Sequence, residues 1–279
     1  MKDHIGCTTA MFQGDLAAKL DAMRQAGFGW TEVFSRDIFE NLKGPEYALD
    51  LIRDSGLGVS CLQMLRDFEG CAREAMPRKL AIAEHVMDQA QWLGTDLLIL
   101  CASVLPDASG DPEQVANDLS RLADLARSRG LRIAYEPIAW ATWFSDYRAA
   151  WRLVERINHP HLGLLLDSTH MGCLKLPFDD VRLIAADKVF LVELADLPGS
   201  RLDHVDLSRH YRLLPGHGVL ALERFVQALD AIGYQGVYSL ETFNDHYRQL
   251  APTPLAEAGY RAVRELLRRA REPLPTVDR

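Results

Sequence analysis

Four acidic side chains close four short apolar runs: Glu136 ends RIAYE, Asp167 ends GLLLD, Glu193 ends VFLVE and Glu241 ends VYSLE. Carboxylates offer hard oxygen donors, and four that converge suit Mg2+, Mn2+ or Co2+ better than thiolate-loving zinc. They lie too far apart to form a local motif, so they meet only if each belongs to its own strand-helix unit. Each alone has a plainer reading, because acidic residues routinely cap the helix after a strand. Repetition in four consecutive units favours the metal site. His170 follows Asp167 in DSTHM. A neutral imidazole there could act as a general base, hold a substrate hydroxyl or simply support Asp167. Arg66 in LQMLRDFEG and Arg212 in SRHYR offer guanidinium forks that match an anionic substrate, although RDFE also gives Arg66 acidic neighbours. His210 and His217, in SRHYRLLPGHG, are further candidates that a surface loop explains almost as well.

The elements that would position these groups follow from the period of the apolar residues. HIGC, WTEVF, GVSCL, DLLILC, RIAYE, GLLLD, VFLVE and VYSLE are eight short apolar runs, each followed by a helical pattern. Their apolar residues are consecutive, as expected of parallel strands covered on both faces. LAAKLDAMRQAG, EYALDLIRDSG and LERFVQALDAIG carry apolar residues at three-to-four spacing and stop at Gly27, Gly56 and Gly233. Gly94 and Gly130 stop two more, as glycine does where a helix needs a left-handed end. Eight alternations predict an α/β fold, a (β/α)8 barrel, with the carboxylates at the C-terminal rim where such barrels carry their chemistry. The sixth unit, LPFDDVRLIAAD, is short and broken by proline.

With 279 residues, 48% hydrophobic and 25% charged, the chain fits one domain over 1–279, with a loosely attached tail from about 272. A net charge of −8 argues against nucleic acid as a partner. The arginines of RELLRRAR read as the solvated side of a last helix. Five scattered cysteines without CxxC spacing read as reduced thiols of a cytoplasmic protein. No apolar run approaches ~18 residues and the N-terminus has no export-like segment, so no membrane partner is expected.

The strand ends resemble those of the sugar isomerase and epimerase superfamily related to xylose isomerase, over nearly the whole chain. A closer resemblance is to bacterial 3-dehydroshikimate dehydratases. It is carried by LAAKLDAMRQAGF with TEVF, RDFEG at 66–70, AYEPIAW around Glu136, LLDSTH at 165–170, ELADLP at 193–198, SRHYRLLPGHG at 208–218 and SLETFNDHYR at 239–248. The resemblance implies a divalent-metal-dependent lyase of quinate and shikimate catabolism. Glu136, Asp167, Glu193 and Glu241 would be its metal ligands, with Glu136, His170 and Glu241 catalytic and Arg66, Ser208 and Arg212 around the substrate. The dehydratases typically carry Gln at the third ligand, where this chain has Glu193, and Gly-Arg-His after AYEPIAW, where it has Ala141, Thr142 and Trp143. The same barrel could instead return the proton and act as a sugar or sugar-phosphate epimerase or isomerase, or bind without turnover. A repair endonuclease of the apurinic-site type would need many metal-binding histidines and a DNA-attracting surface. The expected ligand is a small polyhydroxylated keto acid or sugar, with homo-oligomer formation left open.

Overall fold

The computed structural model describes residues 4–272. Eight parallel strands close into a barrel in chain order: β1 Ile5–Thr8, β2 Trp30–Phe34, β3 Gly58–Arg66, β4 Leu97–Cys101, β5 Arg132–Glu136, β6 Leu162–Asp167, β7 Val189–Leu194 and β8 Tyr238–Leu240. β1 pairs with β8, so no edge remains. All eight apolar runs of the sequence become strands. The helices are α1 Leu16–Ala26, α2 Ser35–Phe39, α3 Pro45–Asp54, α4 Met76–Leu93, α5 Pro112–Ser128, α6 Tyr147–Ile157, α7 Ser168–Cys173, α8 His204–His210, α9 Leu222–Ile232 and α10 Pro252–Arg271.

Local chemistry sets the helix ends. The Asp15, Asp111 and Asp146 side chains accept backbone N–H groups at the starts of α1, α5 and α6. α1 and α4 stop at Gly27 and Gly94, whose φ of 105° and 72° would strain a residue with a Cβ. The sixth unit departs from the pattern, as its broken sequence implies. After short α7 come two 3-10 stretches, Phe178–Leu183 and Ala186–Lys188, where other units carry a longer helix. Phe178 there packs on Phe225 of α9, ring centres 5.0 Å apart.

Alternate strand residues face two different apolar layers. Leu98, Leu100, Ile133, Tyr135, Leu164 and Val192 join the large cluster shared with the helices. Cys61, Leu97, Ile99, Ala134, Leu165 and Leu191 form a separate cluster, the barrel's own filling. All five cysteines are buried and free. The arginines of α10 face outward in ion pairs: Arg268 with Glu265 and Glu272, Arg269 with Glu223, Arg271 with Asp230. No helix among the described residues is long and apolar enough to cross a membrane. The expected loose tail falls, beyond Glu272, outside the described residues.

Candidate functional site

Strand register brings the four carboxylates to the same C-terminal rim of the barrel. Cys101 lies opposite Glu136, Asp167 opposite Glu193, and Glu193 opposite Ser239. The sequence places each carboxylate at the last strand position, and Glu136 and Asp167 occur there. Glu193 is one residue short of the end of β7 and Glu241 one residue beyond β8, because β8 is only three residues long. All four are buried. Asp167, Glu193 and Glu241 each offer an oxygen within 4.8 Å of the other two, and Glu136, Asp167 and His170 form a second such group.

Asp167 divides its two oxygens. Oδ1 accepts Thr169 N at 2.7 Å and caps α7, as the plainer reading of the sequence had it. Oδ2 turns inward, 2.9 Å from Arg212 Nη1 but out of line for a hydrogen bond. The α7 helix carries His170, whose Nε2 is 3.4 Å from both Glu136 Oε1 and Asp167 Oδ2, and whose Nδ1 is 3.4 Å from Ser208 Oγ. Trp140 presses edge-on against the imidazole, ring centres 5.1 Å apart. Ser168 Oγ donates to Ala195 O and accepts Ala195 N, which locks the α7 turn to the end of β7.

Arg212 is held by the connection that follows β7. The two oxygens of Asp196 accept N–H groups from Leu197, Gly216, Gly218 and Leu220, folding LPGHG back on itself. A Cβ at Gly218 would collide with Leu197 O and Asp196 Oδ1, so glycine is required there. Arg212 N donates to Phe243 O, and Asn244 Nδ2 donates to Arg212 O, tying this loop to the one after β8. The buried guanidinium donates from Nη1 to Glu241 Oε2 at 2.9 Å and from Nε to Ser208 O.

Two members of the carboxylate cluster escaped the sequence reading. Glu32, in the middle of β2, is a fifth fully buried carboxylate, and Gln63, on β3, stands between it and the ring. Gln63 Nε2 donates to Glu32 Oε2 and Glu241 Oε1, both at 2.9 Å, with Glu193 Oε1 at 3.4 Å. A charged residue amid the apolar letters of WTEVF was the available signal, since a barrel strand has no solvent face to put it on.

The electrostatics follow from five carboxylates among few cations. Burial raises the pKa of Glu193 well above the carboxylate range, and Glu241 and Glu32 push it further. Burial likewise raises Glu32, opposed by the polar groups around it, among them the hydrogen bonds donated by Gln63 and Cys61. For Glu241, burial outweighs the opposing Arg212 charge, and the other carboxylates help bring it to about 7. Burial also opposes ionisation of Glu136, but the hydrogen bond and charge of His170 more than offset it, leaving Glu136 below its ordinary value. Glu193 Oε2, Glu32 Oε1 and Asp167 Oδ2 have no hydrogen-bond donor. Unsatisfied buried oxygens around excess negative charge are the chemistry of a divalent-cation site, and these residues fit one.

Above the ring opens a cavity with Glu136, His170, Arg212 and Glu241 in its floor, and Ile138, Trp140 and Phe243 as an apolar wall. Arg66 and Arg209 stand at its mouth, and Ser208 also lines it. Arg66, placed after strand 3 by the sequence, is the last residue of β3 and makes no ion pair with Asp67 or Glu69. The departing triplet lies outside this lining. Thr142 bonds Ser103 O and Leu105 O, and Trp143 Nε1 donates to Ala108 O.

Residues 20–270 match a family described as xylose isomerase-like TIM barrel. The chain is 40% identical over 266 residues to a 3-dehydroshikimate dehydratase of Pseudomonas aeruginosa, covering 95% of this chain and 42% of that protein. It is 27% identical over 255 residues to an inosose isomerase of Halalkalibacterium halodurans, covering 87% and 88%. A solved xylose isomerase-like TIM barrel/4-hydroxyphenylpyruvate dioxygenase fusion protein superposes with a TM-score of 0.94 at 36% identity, over 99% of this chain and 46% of that one. The chain thus spans under half the length of the dehydratase and the fusion protein. The barrel, its rim of carboxylates and these similarities together identify the chain as a member of the xylose isomerase-like TIM barrel family.

Proposed function

We propose that this chain is a divalent-metal-dependent lyase that converts 3-dehydroshikimate to protocatechuate and water. The observation that carries the reading is the buried carboxylate ring under a cavity walled by Ile138, Trp140 and Phe243, in a chain 40% identical to a 3-dehydroshikimate dehydratase. Glu136, Asp167, Glu193 and Glu241 would hold Mg2+, Mn2+ or Co2+. When bound, such an ion supplies a Lewis acid for the substrate ketone, making the adjacent C–H acidic. The apolar wall excludes water and favours a flat six-membered ring. His170 takes the proton from the carbon beside the ketone at Nε2, where Glu136 and Asp167 stabilise the imidazolium that forms. Ser208 fixes the ring through Nδ1. The same proton then leaves with the departing hydroxyl as water, and the dienone that remains shifts one ring proton to its ketone oxygen to become the aromatic acid. Arg212 holds Glu241 and Asp167 in place, and Arg66 meets the substrate's carboxylate.

Returning the proton to the same skeleton would give epimerisation or isomerisation instead, and the similarity to an inosose isomerase supports that as the second reading. The test is absorbance in the protocatechuate band after mixing metal-stripped protein with 3-dehydroshikimate, before and after each of the three ions. Metal-dependent growth of the band is expected. Silence with all three, in protein shown to bind metal, together with an isomer of equal mass from a sugar panel, would replace the dehydratase with the isomerase.

A further inference from the structure

The cavity contains three arginines with different commitments. Arg212 is buried and already engaged, with Nη1 against Asp167 and Glu241 and Nε on Ser208 O. Arg66 and Arg209 line the mouth of the same cavity, and among the described residues neither has an acidic side chain within 4.0 Å. The contrast with the rest of the rim is sharp, since Arg248 beside them pairs with Asp245 and stacks on Phe243. Arg209 also sits in the last turn of α8, directly after Ser208, which faces His170. Its solvation is reduced, and Arg66, Arg212 and Arg248 add like charge, so its guanidinium lies below the usual pKa. Glu241 offsets part of this like charge, but among the described residues Arg66 and Arg209 have no acidic partner of their own, and an anion between them would relieve the repulsion that remains.

We propose that Arg209 and Arg66 form a paired guanidinium clamp for the substrate's carboxylate, and that Arg212 serves the acidic ring rather than the substrate. This deepens the dehydratase reading and rests on it for the identity of the anion. With the carboxylate at the mouth, the apolar wall receives the ring, and the oxygens opposite the carboxylate reach the floor. A pair of forks also discriminates strongly against an uncharged analogue, which would leave both cations crowded and unpaired.

The clamp is tested by calorimetric binding of protocatechuate and catechol, which differ only in the carboxylate, to the Mn2+-loaded protein. The variants are Arg209→Gln and Arg66→Gln, with Arg201→Gln, exposed outside the cavity, as a control. Wild type should bind protocatechuate at least about tenfold more tightly than catechol, and each clamp variant should lose about tenfold of that preference. Catechol affinity should hold in all, which also reports intact folding. Equal affinity of wild type for both ligands, no binding of protocatechuate, or an unchanged preference in Arg209→Gln would overturn the clamp. Turnover of 3-dehydroshikimate with no clamp effect would leave the dehydratase standing, whereas a clamp effect without turnover would point to another cyclic carboxylate.

Discussion

Glu193 distinguishes this ring from one carrying an amide at the same place. Its raised pKa and its unpartnered Oε2 arise from burial among Glu241 and Glu32. Replacing it with Gln removes one negative charge a few ångströms from the ion. The expected result for Glu193→Gln is metal affinity at least about tenfold weaker, since one negative charge beside a divalent ion is worth ~2 kcal/mol even in a water-like dielectric. Titration of the stripped protein with Mn2+ checks this, and an unchanged affinity would remove Glu193 from the ligand set. Much of the ring was legible at this scale, because a barrel strand is an apolar run and a carboxylate closing one stands out. Glu32 and Gln63 were not, since WTEVF reads as a strand whatever polar letter it contains and Gln63 falls just past GVSCL, in residues that β3 proves to include. Arg209 and Arg212 sit three apart in one arginine-rich stretch, and only the fold shows which of them is occupied.

The loop between β3 and α4 carries its own buried carboxylate. Glu69 Oε1 accepts Ser103 N at 2.7 Å and the Tyr135 hydroxyl at 2.9 Å, while Oε2 has no partner. Burial raises its pKa from 4.5 to about 7. Below 4.5 the folded and unfolded chains both keep this proton. Between 4.5 and about 7 only the folded chain does, and each pH unit there favours the unfolded state by about 1.4 kcal/mol. The loss is complete above 7, so Glu69→Gln, which preserves both accepted bonds, should gain about 1–3 kcal/mol at pH 8 and almost nothing near pH 4. Urea unfolding at the two pH values decides it, and an equal gain at both would refute the ionisation argument. Helix C-termini were readable because glycines mark them locally. The 3-10 stretches of the sixth unit were visible only as a weakness, since proline and paired aspartates say where a helix fails and not what replaces it.

For the whole molecule, the ring sets stability against function. Five buried carboxylates face Arg212 and His170, and Glu32, Glu193 and Glu241 all hold protons above their ordinary range. Without an ion, the folded state should therefore weaken as pH rises through about 7, where Glu241 ionises. An ion binds only the folded, deprotonated ring, so it should stabilise more at pH 8 than at pH 6. At a hundredfold excess over Kd it adds about 2.7 kcal/mol, or roughly 5–10 °C in Tm. Melting curves in Mn2+ and in chelator would show this gap widening with pH, and identical curves at both pH values would argue against a metal at the ring. The closed topology carries one more consequence. The site takes single side chains from β2, β3, β5, β6 and β7 and from the residue after β8, so its members span Glu32 to Glu241. No contiguous half of the chain contains it, and it comes into being only when the first and last strands meet. Occupancy of the ring is thus a reporter of barrel closure itself, and a nascent chain released before β8 would lack Glu241 and hold the other acidic residues without the means to gather them.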